Sequence, residues 1–116
     1  MEIVIQGQLA ALNEHDGANR ANRFAGAKLK KEMTNLVAMQ VARMKPIEQP
    51  VFFTFHWFIS TRHDPDNIRF ATKYLLDGLV KAGKLPNDNQ KWVLGFHGDY
   101  FVRVPKGKEK IVIEIE

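Results

Sequence analysis

The chain has 116 residues, 45% apolar and 26% charged, with a net charge of +4. That length suits one domain, no apolar run approaches the ~20 residues that span a bilayer, and the lack of cysteine excludes disulfides and thiolate metal sites. Any metal must therefore be held by carboxylates, histidines or carbonyls, which favours Mg²⁺ or Mn²⁺, and a pI near 9.5 suits a polyanionic partner without specifying one.

The N-terminus "MEIVIQGQLAALNEHD" has no basic leader and no clean apolar core, so no signal peptide is expected and a reducing cytoplasm is compatible with the composition. "EIVIQGQL" alternates as a first strand. "NEHDGANRANRFAG" is polar and glycine-containing and is expected to be a loop. Residues 27–44 place apolar side chains at helical spacing opposite a basic face, and "KPIEQP" stops that helix. "VFFTFHWFIS", 51–60, is bulky on both faces and reads as a central, doubly covered strand, its aromatics assigned to core packing.

Residues 66–83 are expected to form one long helix, capped by Asp66 or Asn67 and ended by Gly83. Arg69, Lys73, Asp77 and Lys81 recur every four residues along it, a spacing that allows i,i+4 ion pairs. "LPNDNQ" is a turn or loop. "WVLGFHGDYFVRV" suggests two strands joined around His97–Gly98, and "KIVIEIE" a last alternating strand. The sum is an α/β fold: one domain over 1–116, with a mixed sheet of about four or five strands and two main helices. The terminal strand or the first strand is expected to offer an edge for pairing.

Chemistry concentrates at "STRHDPDNIRF", residues 60–70. Asp64 and Asp66 lie two apart, and in extended chain their side chains share a face, with about 7 Å between Cα atoms. Two such groups can share one hard cation; they are equally good turn and helix-cap residues. Asp88, in the loop "PNDNQ", is the natural third carboxylate. A helix of about 17 residues carries the chain roughly 25 Å away, so Asp88 joins only if the chain runs back or a symmetry-related chain supplies it.

"DPDNIRFATKYLLDGLVKAGKLPNDNQ" resembles the signature of the RusA family of Holliday junction resolvases: a strand ending in Asp-x-Asp-Asn, a helix carrying Lys-x-x-x-Asp-[Ala/Gly]-Leu, then Asp-Asp-x-Gln. The resemblance covers residues 64–90. Asp64, Asp66 and Asn67 match the first block, Lys73, Asp77, Gly78 and Leu79 the second, Asp88 and Gln90 the third. Two positions depart. Phe70 stands where the family's shorter form has its lysine, with Lys73 three residues later, and Asn87 replaces one carboxylate of the last block.

The resemblance implies a small, dimeric, Mg²⁺-dependent endonuclease of prophage type, with Mn²⁺ able to substitute, that cuts four-way or branched DNA in recombination and repair. Asp64, Asp66 and Asp88 are then the metal carboxylates and Lys73 the phosphate-facing cation. Arg20, Arg23, Lys28, Lys30, Lys31 and Arg69 are the candidate DNA contacts. The alternative is a catalytically silent, structure-selective DNA-binding protein of the same fold. A hydrolase of other branched nucleic acid, or a basic interaction protein with no metal, are further rivals.

Overall fold

A computed structural model describes the backbone of residues 1–116 and the side chains of all but Leu12, Asn13, His15 and Asn19. The elements are β1 (Glu2–Gln6), α1 (Leu12–Ala21), α2 (Arg23–Gln40), β2 (Val51–Ile59), α3 (Pro65–Arg69), α4 (Thr72–Lys81), β3 (Val93–Arg103) and β4 (Lys110–Ile115). The four strands make one mixed sheet in the order β1-β4-β2-β3. β2 and β3 are parallel, while β4 runs antiparallel to both β1 and β2. Parallel neighbours need a crossover, and α3 with α4 supplies it.

Alternation along the strands separates the two faces of the sheet. Phe53, Phe55, Trp57, Ile111, Ile113 and Ile5 point to one side and are buried with Val37, Tyr74, Leu75 and Leu79 of the helices. Phe52, His56 and Phe58 alternate with them and are only half-buried, and Val4, Tyr100 and Val102 are exposed. The expectation of a doubly covered β2 therefore fails. Helices cover one face; on the other, cross-strand neighbours provide what shelter there is, with Phe52 stacked on His97 at 4.5 Å and Lys110 Nζ 4.9 Å from the Phe58 ring centre.

Four boundaries differ from those expected. The polar stretch at 13–26 is helical, not a loop: it forms α1, and Asn22 starts α2 by accepting a hydrogen bond from the Ala25 N–H at 2.6 Å. The two-strand reading of 93–103 gives way to one eleven-residue strand. Its irregularities are two register shifts that leave Leu94 and His97 unpaired opposite β2. β4 lies inside the sheet and offers no edge; the edges are β1 and β3. The fourth is the long helix over 66–83, which is interrupted at Phe70 and Ala71. There the Ala71 N–H reaches Ile68 O and the Lys73 N–H reaches Phe70 O, i→i+3 bonds that tighten the turn and let α4 leave at a new angle. Ile68, Ala71, Tyr74, Leu75 and Leu79 thereby all stay buried.

Gly83 ends α4 as expected. Its φ is +73°, its N–H bonds to Val80 O, and the Lys84 N–H bonds to Leu79 O.

Candidate metal centre and nucleic-acid face

The acidic segment begins where β2 runs out, and its loop is held from three sides. The Ser60 hydroxyl donates to Glu109 at 2.8 Å, the Ser60 N–H donates to Gln8 Oε1 at 3.1 Å, and Gln8 Nε2 donates to Thr61 Oγ1 at 3.0 Å. Thr61 Oγ1 lies 2.9 Å from His63 Nδ1. With Gln8 donating into it, the Thr61 hydroxyl is free to donate to Nδ1, which in neutral imidazole leaves the proton on Nε2. The Glu109 carboxyl is held below the ordinary glutamate value of 4.5, first by its own backbone N–H, then by Ser60 and the Gly107 N–H.

Pro65 occupies the first turn of α3, where its missing N–H costs nothing. Asp64 is the residue before it, in extended conformation, and its side chain accepts no capping bond. Neither Asp66 nor Asn67 caps the helix, contrary to expectation. Asp64 and Asp66 are both exposed, and among the described residues neither carboxylate has a hydrogen-bond or ion-pair partner. The two belong to a helix start rather than an extended run, so the same-face spacing of about 7 Å expected for a strand does not apply.

Asp99 enters here, a residue the sequence reading passed over. It lies on β3 opposite Phe55, with its side chain 12% exposed. Oδ1 accepts from Trp57 Nε1 at 2.8 Å and Oδ2 from Arg69 Nε at 2.8 Å. Trp57 is 1% exposed, and a buried indole N–H needs an acceptor. Arg69, the last residue of α3, is thereby tied to β3, which sets the acidic helix over that strand. The sequence signal was available: an aspartate inside an aromatic strand asks what it bonds.

The i,i+4 ladder along 69–81 does not form: the interruption at Phe70 and Ala71 separates Arg69 from α4, and within α4 Asp77 and Lys81 face α2 instead. Arg69 goes to Asp99, Asp77 lies 4.0 Å from Lys30, and Lys81 bonds to Asn35. Lys73, exposed at the start of α4, is left without a partner among the described residues. Lys28 lies 3.9 Å from Glu32. Arg20, Arg23 and Lys31 are exposed and unpaired among the described residues, near Phe24, which is 84% exposed. α1 touches α3, which brings this basic helical pair beside the acidic segment.

Asp88 is elsewhere. The loop before β3 is built by Asn87, which accepts from the Asn89 N–H at 3.0 Å, and by Asn89, which accepts from the Lys91 N–H at 3.1 Å. Val51 N–H bonds to Trp92 O, so this loop sits at the first residue of β2. Asp64 and Asp66 follow the last. The nine residues of β2 between them cover about 26 Å at a rise of about 3.3 Å. Among the described residues, no three histidine, aspartate or glutamate side chains come together as a metal site. The three-carboxylate site expected from 64, 66 and 88 is therefore not assembled within one chain, because the parallel crossover puts the loops before and after it at opposite ends of the sheet. Asn87, in the position of the missing carboxylate, spends its side-chain oxygen on the turn.

His56 lies 3.2 Å from Glu114 and His97 stacks on Phe52; His15 falls outside the described side chains. No helix among the described residues is long and apolar enough to cross a membrane. No family model and no curated protein matches the chain.

Proposed function

We propose that this chain is a Mg²⁺-dependent, structure-selective endonuclease that hydrolyses phosphodiester bonds in four-way or branched DNA, working in the cytoplasm as a homodimer. One observation carries the reading. Asp64 and Asp66 stand exposed at the end of a braced loop and perform none of the capping that would explain them structurally. Two hard oxygen donors at one exposed helix start suit Mg²⁺ or Mn²⁺. The resemblance of residues 64–90 to the RusA signature points the same way.

On this reading Asp64 and Asp66 hold the metal, with Asp88 as a third carboxylate from a second copy. A bound Mg²⁺ would polarise the phosphate and supply an activated water. The chain's own groups do the rest. Lys73, unpaired and following α3, places a cation for the phosphate and for the charge that builds on it. Asn67 and His63 Nε2–H offer hydrogen bonds beside the carboxylates. Gln8, Thr61 and Glu109 hold the loop so that these groups keep their positions. Arg20, Arg23 and Lys31 track the DNA backbone; Lys28 and Lys30, each near a carboxylate, contribute less. Arg69 acts mainly through Asp99, fixing α3.

The rival is a silent binder of the same fold; among the described residues of one chain no three metal-ligating side chains converge, which suits it. The test is cleavage of a labelled four-way junction and of a matching duplex, with Mg²⁺, Mn²⁺ or EDTA. Paired, metal-dependent nicks in the junction, abolished by Asp66→Asn with junction binding intact, are expected. Tight binding without any nick would mean the silent protein. No binding and no nick would reject both.

A further inference from the structure

Beside the acidic segment, at the same end of the sheet, lies a hollow of about 330 Å³ lined by Thr61, Arg62, His63, Phe101, Val102 and Arg103. Its walls come from two places in the chain. The turn after β2 supplies Thr61, Arg62 and His63, and the last residues of β3 supply the rest. The backbone holds the two together: Ile59 pairs with Arg103, and the Val104 N–H donates to Ile59 O at 2.8 Å. Phe101 and Arg103 pair with Trp57 and Ile59, so alternation puts them on the helix side of the sheet with Asp99. That is the side on which Asp99 holds Arg69 and, with it, α3. Asp64 directly follows His63.

The lining is cationic and aromatic. Arg62 and Arg103 are both exposed, and neither has a carboxylate partner among the described residues. Two guanidinium groups on one hollow repel each other, and an anion bound between them offsets that repulsion. Phe101 is 36% exposed, and its ring stacks on no other ring among the described residues. The hollow at Phe58 differs in this respect, since Lys110 Nζ already lies 4.9 Å from that ring centre.

We propose that the Arg62–Phe101–Arg103 hollow seats one unpaired nucleotide of a branched DNA strand, beside the bond presented to Asp64 and Asp66. Arg62 and Arg103 take its phosphate, and its base stacks on Phe101. That the ligand is DNA rests on the endonuclease reading; the cationic and aromatic character of the hollow does not.

The chemistry of the walls selects this occupant. Guanidinium forks match phosphate oxygens in pairs. Every base has a π-face for Phe101, so the contact is indifferent to sequence. The Thr61 bond at Nδ1 leaves His63 Nε2–H as a further donor toward base or phosphate. The volume lies at the lower end of the range that small-ligand sites occupy. A base inside a duplex must be unstacked and unpaired to enter, whereas one at a branch point is already free of its partner. Preference for branched over plain duplex DNA therefore arises in this hollow, and the carboxylates beside it need only do chemistry.

Fluorescence anisotropy in EDTA tests the hollow without cleavage. The probes are a labelled duplex carrying a single-stranded flap and the same duplex without it. The proteins are the wild type, Phe101→Leu, which keeps apolar bulk and removes the ring, and Arg62→Gln/Arg103→Gln. Wild type should bind the flap more tightly than the duplex by about tenfold, the worth of one stacked base. Phe101→Leu should lose that preference and keep its affinity for duplex. The double arginine variant should bind the flap more weakly, with a log–log salt slope flatter by about 1. Arg62→Gln alone gives the same readout from outside β3, and circular dichroism checks the fold of each variant.

Equal affinity of the wild type for flap and duplex, or a preference that survives in Phe101→Leu, would overturn the stacking site. An unchanged salt slope would overturn the phosphate clamp. Junction cleavage with Mg²⁺ separates these failures from that of the endonuclease reading. A wild type that cuts, with variants that bind flaps as it does, would reject the hollow alone. A flap preference that depends on Phe101 in a protein that never cuts would reject the endonuclease and uphold the hollow. No binding to either probe would reject both.

Discussion

Asp99 shows how much one side chain can organise. It satisfies the indole N–H of a buried tryptophan with one oxygen and anchors α3 with the other. Asp99→Ala would leave the Trp57 N–H without an acceptor in a site that water barely reaches, a loss of about 1–3 kcal/mol. Asp99→Asn would keep the Trp57 bond and lose the charge that holds Arg69, so it should cost less stability. Chemical denaturation followed by tryptophan emission would compare them; equal stability of Asp99→Ala and wild type would dismiss the role. Asp64 and Asp66 illustrate the limit of reading residues from spacing. The sequence located them, but whether they cap the helix or stand free depended on backbone angles that Pro65 and the preceding loop impose.

At the level of elements, the contact between α2 and α4 is close because position 78 is glycine. A Cβ there would lie 2.5 Å from Val37 Cγ1 and 2.6 Å from Val37 Cβ. Gly78→Ala should destabilise by about 1–3 kcal/mol through overpacking. Val37→Ala in the same chain should recover part of that, since the two sites share one contact. Thermal melts of the three variants would show the coupling, and simple additivity would refute it.

The 60–64 loop carries a pH dependence from Glu109. Its folded value lies below 4.5, held there first by its own backbone N–H and then by Ser60 and the Gly107 N–H, so these bonds stabilise the loop above that pH and are lost as pH falls through the folded value. Glu109→Gln should therefore be less stable than wild type near neutrality. The gap should close in acid, below the folded value. Melting curves taken from about pH 7 down to about pH 3 would reveal a constant gap if this assignment were wrong.

Across the whole molecule, charge is unevenly spread. The α1–α2 pair holds Arg20, Arg23 and Lys31, which have no partner among the described residues, next to the acidic helix that α1 touches. If these contact phosphates, junction affinity should fall linearly in log–log terms with salt. Arg23→Ala should then flatten that slope by about 1. An unchanged slope would place the DNA on another face. The sheet, too, matters at this scale: helices cover one face, and β1 and β3 are its edges, β1 capped at Gln6 by the Gln40 side chain.

The sequence by itself determined the α/β class, the aromatic central strand, the Gly83 helix end and the position of the acidic segment between strand and helix. Alternation, helical spacing and turn chemistry are local, so they can be read along the chain. Tertiary structure alone decided the rest. The strand order hides β4 and exposes β3. The crossover separates Asp88 from Asp64 and Asp66 by the length of β2. The tight turn at Phe70 and Ala71 sends Arg69 to Asp99, and the packing of α4 on α2 sends Asp77 and Lys81 to Lys30 and Asn35 instead of to one another. Each of these joins residues far apart in the chain, and the energy that chooses among such pairings comes from burying one face of the sheet, which no local pattern records.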